Sequence, residues 1–120
     1  MTDSLVAEGE FLRYRMSLLS KIGAFGGEPK ARVSNLKQVT QSDNPWTREV
    51  LRGIRAPGTG FPFLIMLGTM RYRGGKDFCA VYKRNPVLIL EFNNENFNRW
   101  VIPANETNKE VLRDLKKLAN

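Results

Sequence analysis

Most of this chain consists of short stretches in which apolar and polar residues alternate. A period of two is typical of β-strands that bury one face, and glycine, proline, asparagine and aspartate separate the stretches where turns are expected. The predicted strands cover residues 10–19, 31–33, 36–40, 63–71, 77–83, 87–92 and 97–102. We expect these strands to pair antiparallel, with the last two forming a hairpin in which Trp100 and Ile102 share a face.

Two consecutive glycines, Gly74 and Gly75, predict a tight turn between the fourth and fifth strands, because glycine accepts the positive φ angles of two-residue hairpin loops. If these glycines form the loop, Met70 lies opposite Cys79. Met70, Cys79 and Val81 then share one side of the hairpin, and we expect them to face the core. The fourth strand itself is predominantly apolar and is expected to be buried.

The period changes near the C-terminus. Leu112, Leu115 and Leu118 fall on one apolar stripe of an α-helix. The helix is capped either by Thr107, in a capping box, or by Asn105 one turn earlier. Because a helix with a single apolar stripe needs an apolar surface to lie on, we expect the three leucines to plug the open end of a small barrel.

A chain of 120 residues has the length of one domain. We expect a short flexible lead at residues 1–9 and a single domain at residues 10–120. The longest apolar run, residues 61–67, is far shorter than the ~20 residues that a helix needs to cross a bilayer. The first residues also lack the basic region of a signal peptide, so we expect a cytoplasmic protein.

The sequence has no histidine and a single cysteine, Cys79, which excludes His-based catalysis, a disulfide framework and zinc clusters. Without a base beside it, Cys79 is expected to be a small core residue rather than a nucleophile. No two carboxylates have a spacing that fixes them on one rigid face beside an apolar pocket. We therefore predict a non-catalytic protein without metal or cofactor.

The balance of 19 Lys and Arg residues against 12 Asp and Glu residues gives a net charge of +7. This charge favours anionic partners, namely nucleic acid, acidic lipid or an acidic protein surface. Lys21, Lys30 and Arg32 are candidate ligand-binding residues, because they would place cations on both sides of an early hairpin loop and surround a phosphate-bearing head group. The alternative is a solvated basic loop, which is the more common role of such a cluster.

Four further cations at two predicted turns are candidate ligand-binding residues: Arg55, Arg71, Arg73 and Lys76. Arg55 precedes a Pro-Gly turn whose backbone N–H groups would form an anion-binding nest, and the alternative is an ordinary strand-entry turn. Arg71 and Arg73 flank Tyr72, an arrangement that would stack a nucleic-acid base between two phosphate contacts. The alternative for this hairpin is a basic tip that aids solubility.

Three runs of the sequence resemble those of small, largely uncharacterised bacterial proteins with a pleckstrin-homology-like (PH-like) fold. The runs are Arg55-Ala56-Pro57-Gly58-Thr59-Gly60, Gly68-Thr69 and Gly75-Lys76-Asp77-Phe78. The resemblance extends over residues 10–118, with two departures: Phe63 stands where glycine is common, and Cys79 stands where tryptophan is frequent. It implies a mainly β fold with one C-terminal α-helix, in which about seven antiparallel strands form a barrel capped by the helix.

The PH-like resemblance implies a non-catalytic binding or interaction module. Its partner would be a protein segment or an anionic lipid head group, and in the latter case the protein would lie at the inner face of the membrane. The alternative is a nucleic-acid-binding small β-barrel, which is disfavoured because no exposed aromatic platform is expected. Exposed strand edges would also allow copies of the chain to pair as a homo-oligomer.

Overall fold

The structure of this chain, a computed structural model, describes residues 3–17, 28–61 and 63–119. In these ranges the chain forms nine β-strands, a short 3-10 turn at Val33–Asn35 and an α-helix. The strands are β1 (Ser4–Glu8), β2 (Phe11–Arg15), β3 (Lys30–Arg32), β4 (Leu36–Ser42), β5 (Ile54–Phe61), β6 (Ile65–Tyr72), β7 (Gly75–Tyr82), β8 (Val87–Phe92) and β9 (Arg99–Pro103). The helix, α1, spans Glu106–Ala119.

The strands form two open sheets. The small sheet has the order β1-β2-β3, and the large sheet has the order β4-β8-β9-β7-β6-β5. The predicted mainly β fold with a C-terminal helix is confirmed for the described residues, whereas the predicted closed barrel is wrong, because β4 and β5 end the large sheet without pairing to each other. The all-antiparallel expectation also fails, since β9 inserts between β8 and β7 and runs parallel to β7.

The large sheet buries apolar side chains on both of its faces. The core on the face toward the small sheet and α1 contains Leu5, Leu12, Tyr14, Met16, Ala31, Leu67, Phe78, Ala80, Leu88, Leu90, Phe92, Trp100 and Ile102. The core on the opposite face, beneath the loop between β4 and β5, contains Val50, Met70, Cys79, Val81, Val87, Ile89 and Val101. Burial on both faces explains why β7 and β8 are apolar over most of their length instead of alternating.

Residues 4–8 belong to the small sheet, although the sequence predicts a flexible lead there. β1 pairs with β2, and Leu5, which lies opposite Tyr14, is 1% exposed. A two-residue turn joins the strands, and Gly9 in this turn has a φ angle of 60°, as hairpin turns require. The strand predicted at residues 10–19 is therefore the second strand of a hairpin and ends at Arg15, while residues 18 and 19 lie outside the described ranges.

β6 and β7 form the predicted hairpin in a register that differs from the expected one by two residues. Met70 lies opposite Asp77 instead of Cys79. The loop comes one residue earlier than expected, with Gly74 at its second position and a φ angle of 102°. Because the shift is an even number of residues, each side chain keeps its face. Met70, Cys79 and Val81 are therefore buried together, as predicted.

β8 and β9 form the hairpin that the sequence predicts, and β8 has the predicted bounds. Trp100 and Ile102 share the core between the two sheets, also as predicted. The strand predicted at 63–71 begins later than expected, at Ile65, because the preceding residues form a turn.

Asn105, one of the two predicted caps, begins α1. Its Oδ1 accepts a hydrogen bond from the backbone N–H of Asn108 at 2.8 Å. Asn108 is fully buried, and its Nδ2 donates to the carbonyl of Pro103 at 2.8 Å. Its Oδ1 accepts from the backbone N–H of Leu5 at 2.9 Å. The first turn of α1 is therefore tied both to β1 and to the end of β9.

The apolar stripe of α1 lies against the core between the two sheets. Leu112 and Leu115 are partly buried there, while the side chain of Leu118 lies outside the described residues. The leucines do not plug a barrel, since the sheets are open. In the described ranges, no helix has both the length and the apolar character that crossing a membrane requires.

Candidate functional site

An open groove of about 580 Å³ lies between β4 and α1. Its apolar lining consists of Val33, Leu36, Val39, Leu88, Leu112 and Leu115. Its polar lining consists of Lys37, Gln38, Lys109 and Arg113. Ligand sites usually enclose about 300–1,000 Å³ and combine a mainly apolar lining with a few polar groups, so the groove has the size and composition of a binding site.

β4 forms one wall of the groove. Within the described part of the chain it is the outer strand of the large sheet and pairs with β8 alone. The pairing shifts between Leu36 and Gln38, and this β-bulge adds Lys37 to the strand. An outer strand leaves the backbone N–H and C=O groups of its second side without a partner in its own sheet, so this wall offers hydrogen bonds as well as side chains.

α1 forms the opposite wall. Leu112 and Leu115 are only partly buried by the core, and the remaining part of each side chain lines the groove. Lys109 and Arg113 are four residues apart, so they lie on the same side of the helix. Together with Lys37 from β4 they give the groove three cations, and no acidic residue is among its described lining residues.

One weak ion pair partly offsets this positive charge on α1. Nη1 of Arg113 lies 3.8 Å from Oε2 of Glu106, and both side chains are more than half exposed. Exposed pairs of this kind contribute little free energy because water screens them. A ligand with an apolar body and negatively charged groups therefore matches both the lining and the charge of the groove.

The first group of predicted site residues is brought together in part. Lys30 and Arg32 lie over the same aromatic ring: Lys30 Nζ is 4.3 Å and Arg32 Cζ is 5.1 Å from the ring centroid of Phe11. Nη1 of Arg32 also lies 3.5 Å from a carboxylate oxygen of Glu10. Lys21 falls outside the described residues. The structure thus gives Lys30 and Arg32 a cation–π arrangement with Phe11.

The second group of predicted site residues lies around the β6–β7 hairpin. Arg71 and Lys76 are direct partners across the hairpin, and Arg73 is exposed in its loop. Nζ of Lys76 lies 5.1 Å from the ring centroid of Phe97. Arg55 belongs to the neighbouring strand β5, and its side chain is outside the described part of the structure. The turn predicted after Arg55 is wrong, because β5 continues through the Pro-Gly pair, with a register shift between Arg55 and Gly58. None of these residues is among the described residues that line the groove.

A buried ion-pair network crosses the large sheet where β7 meets β9. The carboxylate of Asp77, which is fully buried, accepts two hydrogen bonds from Arg99 at 2.9 and 2.8 Å. It accepts two more from Arg52 at 3.1 and 3.0 Å, and one from the hydroxyl of Tyr72 at 2.7 Å. Arg99 also donates to the carbonyls of Glu49 and Val50, at 3.0 and 2.8 Å. The network therefore fixes the loop between β4 and β5 onto the sheet.

Tyr72, which the sequence suggests for base stacking, belongs to this network. Cζ of Arg52 lies 4.3 Å from the ring centroid of Tyr72, so this guanidinium covers the ring. Burial, and next the hydrogen bond to Asp77, raise the pKa of Tyr72 to about 12. On the same face of the sheet, burial raises the pKa of the Cys79 thiol, which is fully buried as predicted. Both groups are embedded in the structure of the sheet.

Exposed aromatic residues are present elsewhere, contrary to the expectation from the sequence. Phe61 is 60% exposed and Phe63 is 53% exposed, at the turn between β5 and β6. Phe63 was expected inside a buried strand, but the turn begins before it and β6 begins after it. The reason is local, since the hydrogen bond from Leu64 to Phe61 closes a turn there and a side chain at a turn lacks neighbours on one side.

The groove itself does not follow from the sequence pattern. Its walls come from residues 33–39 and 109–115, which are far apart in the chain. The available signal was the presence of Lys109 and Arg113 beside the leucine stripe of the predicted helix. Within the described residues no group of three Cys, Asp or Glu side chains is placed to hold a metal ion. No protein-family model, curated protein or solved structure matches this chain.

Proposed function

We propose that this chain is a non-catalytic, PH-like interaction module that binds an acidic, extended protein segment in the groove between β4 and α1. The observation that carries the proposal is the groove: about 580 Å³, apolar at its walls, with three cations. The PH-like part of the proposal is supported by the sequence runs between residues 55 and 78 and by the C-terminal helix that follows the strands.

Backbone pairing would supply much of the affinity. An extended segment that runs along β4 forms main-chain hydrogen bonds with the outer side of this strand, and the large sheet gains a seventh strand. Alternate side chains of the segment then point to opposite faces, so every second one enters the groove. Apolar side chains at these positions would contact Leu36, Leu112 and Leu115.

The cations of the groove would supply specificity and fast association. Lys37, Lys109 and Arg113 are placed to interact with acidic side chains of the segment. Opposite charges at an interface accelerate association and disfavour wrong partners, and this effect weakens as salt increases. The net charge of +7 of the whole chain acts in the same direction.

The non-catalytic part of the proposal is supported by the environments of the reactive groups. The Cys79 thiol is fully buried, with a raised pKa. The carboxylate of Asp77 is also fully buried, and its five hydrogen bonds come from Arg52, Tyr72 and Arg99. With five donors directed at its two oxygens, this carboxylate has no free lone pair directed at a substrate.

Selection from a displayed random-peptide library tests the proposal. The library is selected on the wild-type chain and counter-selected on the variant Lys109→Glu, and enriched peptides are expected to alternate apolar and acidic residues. Affinity of an enriched peptide for Lys109→Glu is expected to fall about tenfold, since one close charge pair is lost and one repulsion is gained. The matched control is Arg73→Glu, which makes the same charge change in an exposed loop away from the groove.

Hydrogen exchange locates the bound peptide. Alternate amides of β4, those on its outer side, are expected to exchange more slowly when the peptide is present. Equal weakening by Lys109→Glu and Arg73→Glu would contradict the proposal, because the attraction would then be nonspecific. Displacement of the peptide by single-stranded DNA with protection of β4 would favour the nucleic-acid alternative.

A further inference from the structure

The turn between β5 and β6 concentrates exposed apolar surface. Phe61, Phe63 and Leu64 are 60%, 53% and 61% exposed. In the described part of the chain only one other large apolar side chain is exposed, Val39 on β4, at 38%. Isolated exposed apolar residues are common on protein surfaces, but three within four consecutive positions form a patch, and such patches mark interaction sites. We call these three residues the apolar tip.

The backbone of the apolar tip is strained at Phe63. The turn is closed by a hydrogen bond from the N–H of Leu64 to the carbonyl of Phe61 at 2.9 Å. Phe63 has a φ angle of 65°, in the left-handed region that glycine adopts freely and that bulky side chains avoid. More than half of the Phe63 side chain is in water, so its burial adds little to the free energy of folding. The strained backbone costs free energy at the same position. This combination indicates a role outside folding.

The neighbouring turn between β7 and β8 brings two basic residues, Lys83 and Arg84, beside the apolar tip. The N–H of Lys83 donates to the carbonyl of Leu64 at 2.8 Å, and Cζ of Arg84 lies 4.9 Å from the ring centroid of Phe63. Trp46 completes the cluster: its ring centroid is 5.7 Å from that of Phe63, and its Nε1 donates to the carbonyl of Lys83 at 2.6 Å. The rings of Phe63 and Trp46 and the guanidinium of Arg84 therefore form one cluster, and Lys83 adjoins Arg84 in the chain.

We propose that the apolar tip docks this protein on an anionic lipid bilayer. Phe61, Phe63 and Leu64 enter the outer part of the acyl region, and Lys83 and Arg84 contact lipid phosphates at the headgroup level. Basic side chains near an acidic leaflet are attracted to it, and their alkyl stems lie along apolar surface while their charges stay in water. Because the residues differ from those of the groove, membrane docking does not depend on peptide binding there.

The composition of the apolar tip favours a bilayer over nucleic acid. Stacking of bases needs accessible aromatic faces. Arg84 lies over the ring of Phe63 and Trp46 contacts it, and Leu64, the most exposed of the three, has no ring, so Phe61 alone offers an open aromatic face in the apolar tip. Hydrocarbon accepts aromatic and aliphatic side chains equally well and requires no matching shape. Lys83 and Arg84 match acidic lipid phosphates in charge.

Sedimentation with lipid vesicles tests the proposal. The full chain is mixed with vesicles of phosphatidylcholine alone and with vesicles that also contain phosphatidylglycerol, and binding is expected only to the latter. Phe63→Gly removes the exposed ring and relieves the backbone strain, so it is expected to fold normally and to weaken binding about tenfold. Leu64→Ser, in which no strained residue changes, is expected to weaken binding to a similar extent.

The matched control is Val39→Ser, which removes the other large apolar side chain that is exposed in the described ranges and is expected to bind vesicles like the wild type. Lys109→Glu, in the groove, is also expected to leave binding within about twofold, apart from the general effect of net charge. Trp46 reports on docking, since Trp100 is 1% exposed and does not sense solvent. A blue shift of fluorescence on addition of anionic vesicles is expected in the wild type and is expected to be absent in Trp46→Phe.

Three results would overturn the proposal. The first is equal vesicle binding by the wild type and Phe63→Gly, with Leu64→Ser also unchanged. The second is tight binding of single-stranded DNA that Phe63→Gly abolishes, without binding to vesicles. The third is a concentration-dependent dimer that Phe63→Gly abolishes, which would show that a second copy of the chain covers the apolar tip. A successful outcome here with no enriched peptides for the groove would leave membrane docking intact.

Discussion

Replacing Asp77 with asparagine tests the buried network that joins the middle of the large sheet to the loop above it. Asparagine has nearly the same size as aspartate, so the change creates no cavity. It removes the negative charge that faces Arg52 and Arg99, and it replaces one acceptor oxygen with an NH2 group that cannot accept their hydrogen bonds. Arg99, whose side chain is 10% exposed, would then be a nearly buried cation without a counter-charge.

The size of the effect follows from burial. Removing one partner of a buried ion pair typically costs about 3–5 kcal/mol, because the other charge remains out of water. Asp77 is fully buried and Arg99 nearly so, which places this pair in that class, whereas Arg52 is more exposed and adds less. For a chain of this length a loss of about 1 kcal/mol lowers the melting temperature by roughly 4 °C, so a decrease of about 12–20 °C is expected.

Urea unfolding measures the free energy of global unfolding, and the rate of thiol labelling of Cys79 measures the free energy of local opening. Arg99 holds the carbonyls of Glu49 and Val50, so weakening it is expected to loosen the loop over the core that contains Cys79 and to accelerate labelling. The matched control is Glu10→Gln, which breaks the exposed pair with Arg32 and is expected to change stability by less than about 0.5 kcal/mol. A loss of under about 1 kcal/mol in Asp77→Asn, with unchanged labelling, would refute the reasoning.

Three other changes have defined outcomes. Asn108→Ala is expected to destabilise the fold by about 1–3 kcal/mol in denaturant unfolding, since the buried N–H of Leu5 and the part-buried carbonyl of Pro103 lose their partner. Unchanged stability would contradict this. The pKa of Tyr72 rises from 10.0 to about 12 on folding, so the stability that this group contributes below pH 10 is lost as the pH rises toward 12. Denaturant unfolding at a series of pH values is expected to show a flatter decline in Tyr72→Phe than in the wild type. Gly53→Ala is expected to lower the melting temperature more than Gly74→Ala. Both glycines have a positive φ angle, but only a side chain at Gly53 would collide with the carbonyl of Arg71. Equal losses would argue against that collision.

Local features of the fold follow from the sequence because their causes lie within a few residues. The β8–β9 hairpin, the Asn105 cap and the shared face of Met70, Cys79 and Val81 all depend on alternation or on one capping side chain. The exact register of the β6–β7 hairpin does not follow, since the glycine pair permits more than one loop. Because the register differs by an even number of residues, each side chain still lies on its predicted face.

Features that join distant segments could not be predicted in this way. The position of β9 between β8 and β7 is decided by pairing across the sheet, and no local pattern distinguishes it from a meander. The groove depends on which strand ends the sheet beside α1, so Lys37 and Lys109 gave no sign of being neighbours. The exposure of Phe63 does not follow from the sequence, because its apolar run is typical of a strand throughout, whereas the first residues of that run make the turn.

The place of β9 in the large sheet has a consequence for synthesis on the ribosome. β7 is complete at Tyr82, but the strand that covers its second edge ends only at Pro103, 21 positions later. At about 5–20 residues per second, the nascent chain carries this apolar edge uncovered for roughly 1–4 seconds. Chaperones that bind nascent chains, or slow codons in this interval, would therefore affect the yield of folded protein more strongly than the same factors acting earlier in translation.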